Sequence, residues 1–188
     1  MNKNIQRYTP ALLLLGAALL IILAREYVTD RTGAGERPPG APLPGQVVPS
    51  FDVRSLADNR IKFPDAYHGK IVLLDFWATW CPPCVAEVPH LVEAYEKYHD
   101  AGLEIIGVSL DKGRTSAGTV RSFIQDRHMP WEQIYDEAEG IAGDYRVVGI
   151  PTMFLIDGDT GRLLADGNDL YGSALPATIA KHLPNRNP

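Results

Sequence analysis

The stretch Gly69–Pro89, GKIVLLDFWATWCPPCVAEVP, carries most of the fold and most of the chemistry that can be read from this chain. Its first half, Ile71–Ala78, is a nearly continuous apolar run, as expected of a strand covered on both faces. A second such run follows at Leu103–Leu110, LEIIGVSL. Between them, from Pro82 to Tyr98, Val85, Val88, Leu91, Val92 and Tyr95 recur at helical spacing, so the segment predicts strand, helix and strand with parallel pairing. A further helical stretch lies around Val120–Gln125. Thr152–Asp157 and Arg162–Asp166 flank the short segment 158–161 and predict an antiparallel hairpin. A last helix is expected over about 174–183, with Ser173 as its N-cap and Pro176 in its first turn. The Asp157 and Asp159 pair reads as turn chemistry, because the further oxygen ligands of a calcium loop are missing.

The chain has 188 residues and two cysteines, too few for a disulfide scaffold or a four-thiolate zinc module. With 45% hydrophobic and 22% charged residues the composition is that of a globular protein. The net charge of −5 becomes −7 beyond residue 24, since Lys3 and Arg7 are the only charges before it, and no nucleic-acid partner is expected. Residues 8–24 are uncharged and would rise roughly 25 Å as a helix. They read as a membrane anchor with a cytoplasmic N-terminus, the rest being exported. A cleaved signal peptide shares this layout but lacks a good cleavage site; a buried core helix would show caps and a polar face. Residues 25–45 hold four Gly and four Pro and read as a linker, with Pro38–Pro44 a stiff spacer. Residues 46–188 form the globular domain.

Cys81 and Cys84 stand where the buried strand ends and the helix begins. Cysteines three apart in a first helical turn are close enough to bridge. So small a loop gains little stability from closure, which favours a redox role over a structural one. Cys81, at the helix start, meets unpaired N–H groups and the positive end of the dipole and is the expected nucleophile. Cys84, a turn deeper, is the expected resolving thiol. Pro82 suits a first helical position, while Pro83 removes an N–H that would otherwise face the sulfur. The rival reading is a metal site. A structural zinc lacks its remaining ligands, the nearest following histidine being His90, so no metal or other cofactor is assigned; transient copper capture stays open. Asp75 interrupts an apolar strand, which predicts a raised pKa and a role as proton acceptor for Cys84. His68, His90, His99 and His128 form no constellation and read as surface; Trp77 reads as core.

Gly69–Pro89 together with VVGIPTMFLID, Val147–Asp157, resembles the thioredoxin-fold proteins of the membrane-tethered TlpA/ResA/CcmG (DsbE-like) branch, over roughly residues 46–185. The resemblance implies an α/β fold with a central mixed sheet flanked by helices, an insertion over 111–135 and an N-terminal extension containing 44–53. It implies a cis bond before Pro151, with the backbone at Ile150 and Pro151 pairing with a bound substrate strand, Trp80 bordering the nucleophile and Pro89 kinking the helix. Asp75 matches the buried acid of thioredoxins and Glu87 the glutamate that ResA-like proteins place near the dithiol. The expected substrate contacts are Trp80, Pro82, Pro83, Ile150 and Pro151. Two nearby carboxylates and the missing Pro83 N–H disfavour the Cys81 thiolate, which points to a reductant. By resemblance, a membrane thiol-electron carrier of the CcdA or DsbD type rereduces it in the bacterial inner membrane, and the substrates are cysteine pairs of exported proteins, apocytochrome c or copper-site proteins among them. The CcmG-like Gly-Ala-Pro-Glu is replaced here by Gly149, Ile150, Pro151 and Thr152. A copper-binding chaperone and a disulfide-forming oxidase on the same fold are the alternatives. A peroxiredoxin is disfavoured, because its nucleophile sits in a T-x-x-C context.

Overall fold

The computed structural model describes residues 38–137 and 140–183. The expected anchor at 8–24 and the first part of the linker lie outside the described residues. Among the described residues no helix is long and apolar enough to cross a membrane.

The described chain is built on a five-stranded mixed sheet. Strands β3 (Ile71–Trp77), β4 (Leu103–Ser109) and β5 (Glu132–Tyr135) run parallel, β6 (Thr152–Asp157) runs antiparallel to β3 and β7 (Leu163–Asp166) antiparallel to β6, in the order β5-β4-β3-β6-β7. A separate hairpin joins β1 (Phe51–Arg54) to β2 (Arg60–Phe63). The helices are α1 (Pro82–Tyr98), α2 (Ala117–Asp126), α3 (Gly140–Asp144) and α4 (Leu175–His182).

Central β3 is buried along its whole length, which is why its sequence runs apolar without alternation. Successive side chains still point to opposite faces. Ile71, Leu73 and Trp77 join a core with Cys84, Val88 and Leu91 of α1, Val120 of α2 and Leu175 and Ile179 of α4. Val72, Leu74 and Phe76 join the opposite core with Ile61 and Phe63 of β2 and Ile141 and Ala142 of α3. Asp75 therefore stands on the α1 face, opposite Met153 of β6 and Gly107 of β4. At Gly107 a Cβ would meet the Gln133 carboxamide oxygen at 2.0 Å, because that side chain crosses the strand to accept the Trp77 indole N–H at 3.0 Å. Trp77 is thus core, as expected, but core with a polar anchor.

The parallel strand-helix-strand unit, the β6–β7 hairpin and the helix at 117–126 agree with the sequence reading. Asp157 Oδ1 accepts from the backbone N–H of Asp159 and Thr160 and from the Thr160 hydroxyl, so it organises the hairpin turn. The N-cap assigned to Ser173 is corrected. A 3₁₀ turn over Gly172–Ala174 leads directly into α4, so Ser173 lies inside that turn, and Ala174 at the cap position makes no side-chain cap bond. The spacer expected over Pro38–Pro44 carries turns. Turns close from the Ala41 N–H to the Pro38 carbonyl and from the Gln46 N–H to the Leu43 carbonyl. Gly40 and Gly45 supply the positive φ these turns need, +81° and +85°. From Gly45 onward the chain is tied to β7 through its N–H to the Leu163 carbonyl at 2.7 Å.

Candidate active site

The site forms where β3 passes into α1. Cys81 takes the N-cap position with extended backbone, φ −98° and ψ 100°, and Pro82 and Pro83 occupy the first two helical positions. Neither proline has an N–H, so the first donor available is that of Cys84, which reaches Cys81 Sγ at 3.3 Å. The two cysteines are bridged, with an S–S distance of 2.05 Å and a Cα–Cα distance of 5.3 Å. The expected contrast in exposure is absent in this oxidised form. Cys81 is 4% and Cys84 3% exposed, and the 150–151 turn lies against Cys81, whose Sγ is 3.7 Å from the Ile150 carbonyl oxygen.

The peptide bond between Ile150 and Pro151 is cis, matching the resemblance. Trp80 is 42% exposed beside the bridge, Pro82 and Pro83 are exposed, and Ile150 and Pro151 are half-buried. The five expected contact residues thus lie on the segments on either side of the bridge. Val148, two residues before Ile150, is 81% exposed, and no pattern in the sequence singles it out. Helix α1 continues unbroken from Pro82 through Pro89 to Tyr98.

On the α1 face of β3, Asp75 is 2% exposed, and its Oδ1 has no hydrogen-bond partner among the described residues. Burial pushes its pKa up to about 7, and the charge of Glu87 adds to the rise. Glu87, on α1, is half-buried rather than solvated, and its Oε2 accepts the Gly172 N–H at 2.9 Å. Tyr171, just before that glycine, is a residue the sequence reading missed. Its hydroxyl donates to the Pro151 carbonyl at 2.9 Å, and its pKa is pushed up to about 12, first by burial and then by the Asp75 charge. The Glu87 and Tyr171 bonds pin the turn before α4 to the active-site helix and to the cis-proline turn.

Asp111 was missed as well. It is fully buried just beyond β4, and its carboxylate accepts from the Thr79 N–H at 3.1 Å, the Thr79 hydroxyl at 2.5 Å and the Ser109 hydroxyl at 2.8 Å. It therefore holds the loop that leads into Trp80 and Cys81. Its position at the carboxyl end of a buried parallel strand, where α/β sheets gather their sites, was the available signal. Of the histidines, His68 is exposed against Asp159, His90 and His128 are exposed, and His99 is half-buried on Tyr95. Among the described residues no three His, Cys, Asp or Glu side chains are grouped to hold a metal ion.

Residues 44–162 match the AhpC/TSA family. The chain belongs to that family. Among its relatives, a thiol-disulfide oxidoreductase ResA of Bacillus cereus is 37% identical over 115 residues, 61% of this chain and 64% of the relative. The match thus spans somewhat less than two thirds of that relative's length. The ResA of Geobacillus thermodenitrificans is 32% identical over 149 residues, 79% of each chain. Among solved structures, a putative thiol:disulfide interchange protein DsbE from Chlorobium tepidum superposes with a TM-score of 0.66 at 27% identity, covering 77% of this chain and 100% of that one. A thiol:disulfide interchange protein from a Bacteroides species gives 0.66 at 29% identity, covering 78% of this chain and 94% of that one. The family and its neighbours confirm the thioredoxin-like α/β fold and the ResA and DsbE-like resemblance drawn from Gly69–Pro89 and Val147–Asp157.

Proposed function

We propose that this chain is an extracytoplasmic thiol:disulfide oxidoreductase working as a reductase of cysteine pairs in exported proteins. The observation that carries the reading is the Cys81–Cys84 bridge at the N-cap of α1, together with the buried Asp75 on the sheet face that α1 covers, whose Oδ1 has no hydrogen-bond partner among the described residues. In the reduced form the Cys81 thiolate attacks one sulfur of a substrate disulfide and forms a mixed disulfide, releasing the other substrate sulfur as a thiolate. Cys84 then attacks Cys81 Sγ, gives up its proton to Asp75, closes the Cys81–Cys84 bond and releases the second substrate thiolate. Two electrons pass to the substrate and the protein is left oxidised.

Trp80, Pro82, Pro83, Ile150 and Pro151 form the rim on which a substrate strand is received, pairing with the backbone at Ile150 and Pro151. Glu87 works with Asp75 to keep negative charge near the dithiol, which disfavours the Cys81 thiolate and so favours donation of electrons. Residues 8–24 anchor the protein in the inner membrane with the N-terminus in the cytoplasm, residues 25–45 link it and residues 46–188 act outside. Rereduction comes from a membrane thiol-electron carrier of the CcdA or DsbD type. The relatives' names support thiol and disulfide chemistry, and the uncharged run after Lys3 and Arg7 supports the topology.

A direct test mixes the reduced full-length protein, in mild detergent, with an oxidised C-x-x-C-H peptide of the kind that attaches haem. Stoichiometric transfer is expected, one peptide disulfide reduced for each Cys81–Cys84 bridge formed. Peptide that stays oxidised while the protein stays reduced contradicts the assignment.

A further inference from the structure

The loop that follows β4 carries an unused charge beside the dithiol. The Arg114 guanidinium stacks over the Trp80 ring at 4.3 Å from its centroid, and Trp80 is the residue directly before Cys81. The placement is held by one residue. The Asp111 carbonyl accepts the Arg114 and Thr115 N–H groups, both at 3.0 Å, while its buried carboxylate holds Thr79 on the active-site side. The turn bearing Arg114 and the turn bearing Trp80 are therefore tied to the same buried group.

Arg114 and Lys112 are both exposed, and among the described residues neither has an ion-pair partner. In a chain of net charge −5, two cations without an ion-pair partner among the described residues stand in the loop whose arginine covers the tryptophan next to the nucleophile. A planar guanidinium stacked on an aromatic face keeps its N–H edge free for a carboxylate.

We infer that Arg114 is a specificity-determining residue that selects protein disulfides whose target cysteine is flanked by an acidic side chain. The inference rests on the oxidoreductase reading above. Trp80 supplies the apolar floor and orients the guanidinium, and Asp111 is the positioning residue that keeps the two together. An exposed charge pair of this kind changes encounter and affinity modestly and is weakened by salt.

The test uses reduced full-length protein and three cyclic disulfide peptides that differ only in having Glu, Gln or Lys beside the bridged cysteines. At low ionic strength the Glu peptide should be reduced about two- to fivefold faster than the Gln peptide, with the Lys peptide slowest. The ratio should fall towards one at high salt. Arg114→Gln should bring the Glu-to-Gln ratio to about one, Arg114→Lys should retain a ratio above one, and Arg114→Glu should invert it. Equal rates for the Glu and Gln peptides in the unsubstituted protein, or a preference that survives Arg114→Gln, overturns the inference while leaving the oxidoreductase reading intact. Failure to reduce any of the three peptides overturns both.

Discussion

Cys81→Ser is expected to lower turnover by at least about a thousandfold, and Cys84→Ser to stall the protein as a stable mixed disulfide with its substrate. The asymmetry follows from the start of α1. Cys81 is the N-cap and receives the Cys84 N–H, the first donor left in a turn whose two leading residues are prolines. It also lies against the Ile150 carbonyl, at the turn where a substrate strand would run. A serine at 81 has no sulfur with which to open a disulfide. With serine at 84 the first exchange proceeds, but no thiol is left to displace the substrate from Cys81 Sγ. Non-reducing electrophoresis with mass spectrometry reads both outcomes. An adduct trapped by Cys81→Ser, with free turnover in Cys84→Ser, would reverse the assigned roles.

Asp75→Asn is expected to slow resolution of the mixed disulfide by about a hundredfold or more, the usual range for loss of a positioned proton acceptor, and to remove a pH dependence centred near neutrality. With a pKa of about 7, Asp75 loses its proton around neutral pH. In the unsubstituted protein the resolution rate should therefore rise as pH passes through 7, and in Asp75→Asn that rise should vanish. Stability should move the other way. The folded pKa lies above the usual value of 3.8, so the folded state holds the proton more tightly than the unfolded chain. The associated stability is complete below about 3.8 and is lost as pH rises through about 7. The interval corresponds to about 4 kcal/mol at most. Asp75→Asn should escape that loss and gain stability relative to the parent above pH 7, read from denaturant midpoints at pH 5 and pH 8. Slower chemistry with greater stability at high pH separates a functional acid from a structural one.

The parts of this fold that the sequence makes legible are those whose burial is one-sided in composition. β3 and β4 are continuous apolar runs because both faces are covered, and α1 shows a clear apolar stripe. The elements that escaped are short or mixed. β5 is Glu-Gln-Ile-Tyr, four residues of which two are polar, and Gln133 is there to serve the Trp77 indole. α3 contains two glycines in five residues and is held by Asp136, whose carboxylate accepts the Gly140 and Ala142 N–H groups. β1 and β2 alternate charged and apolar residues under an ion pair between Asp52 and Arg60.

The same division holds for the site. The dithiol is visible in its spacing and Asp75 in its misplacement within an apolar strand. Tyr171 and Asp111 act on groups far along the chain, at Pro151 and at Thr79, so no local pattern marks them. Glu87 is visible only through the resemblance, because the Gly172 N–H that it accepts lies 85 residues along the chain.

The central claim, that the Cys81–Cys84 pair donates electrons, is tested most directly by its equilibrium reduction potential in the full-length protein, measured against a glutathione or dithiothreitol series. A value near or below roughly −230 mV is predicted, because burial of Asp75 beside Glu87 and the two prolines both withhold stabilisation from the Cys81 thiolate. A value near roughly −120 mV, that of a strong oxidant, would contradict the account and make the chain a catalyst of disulfide formation.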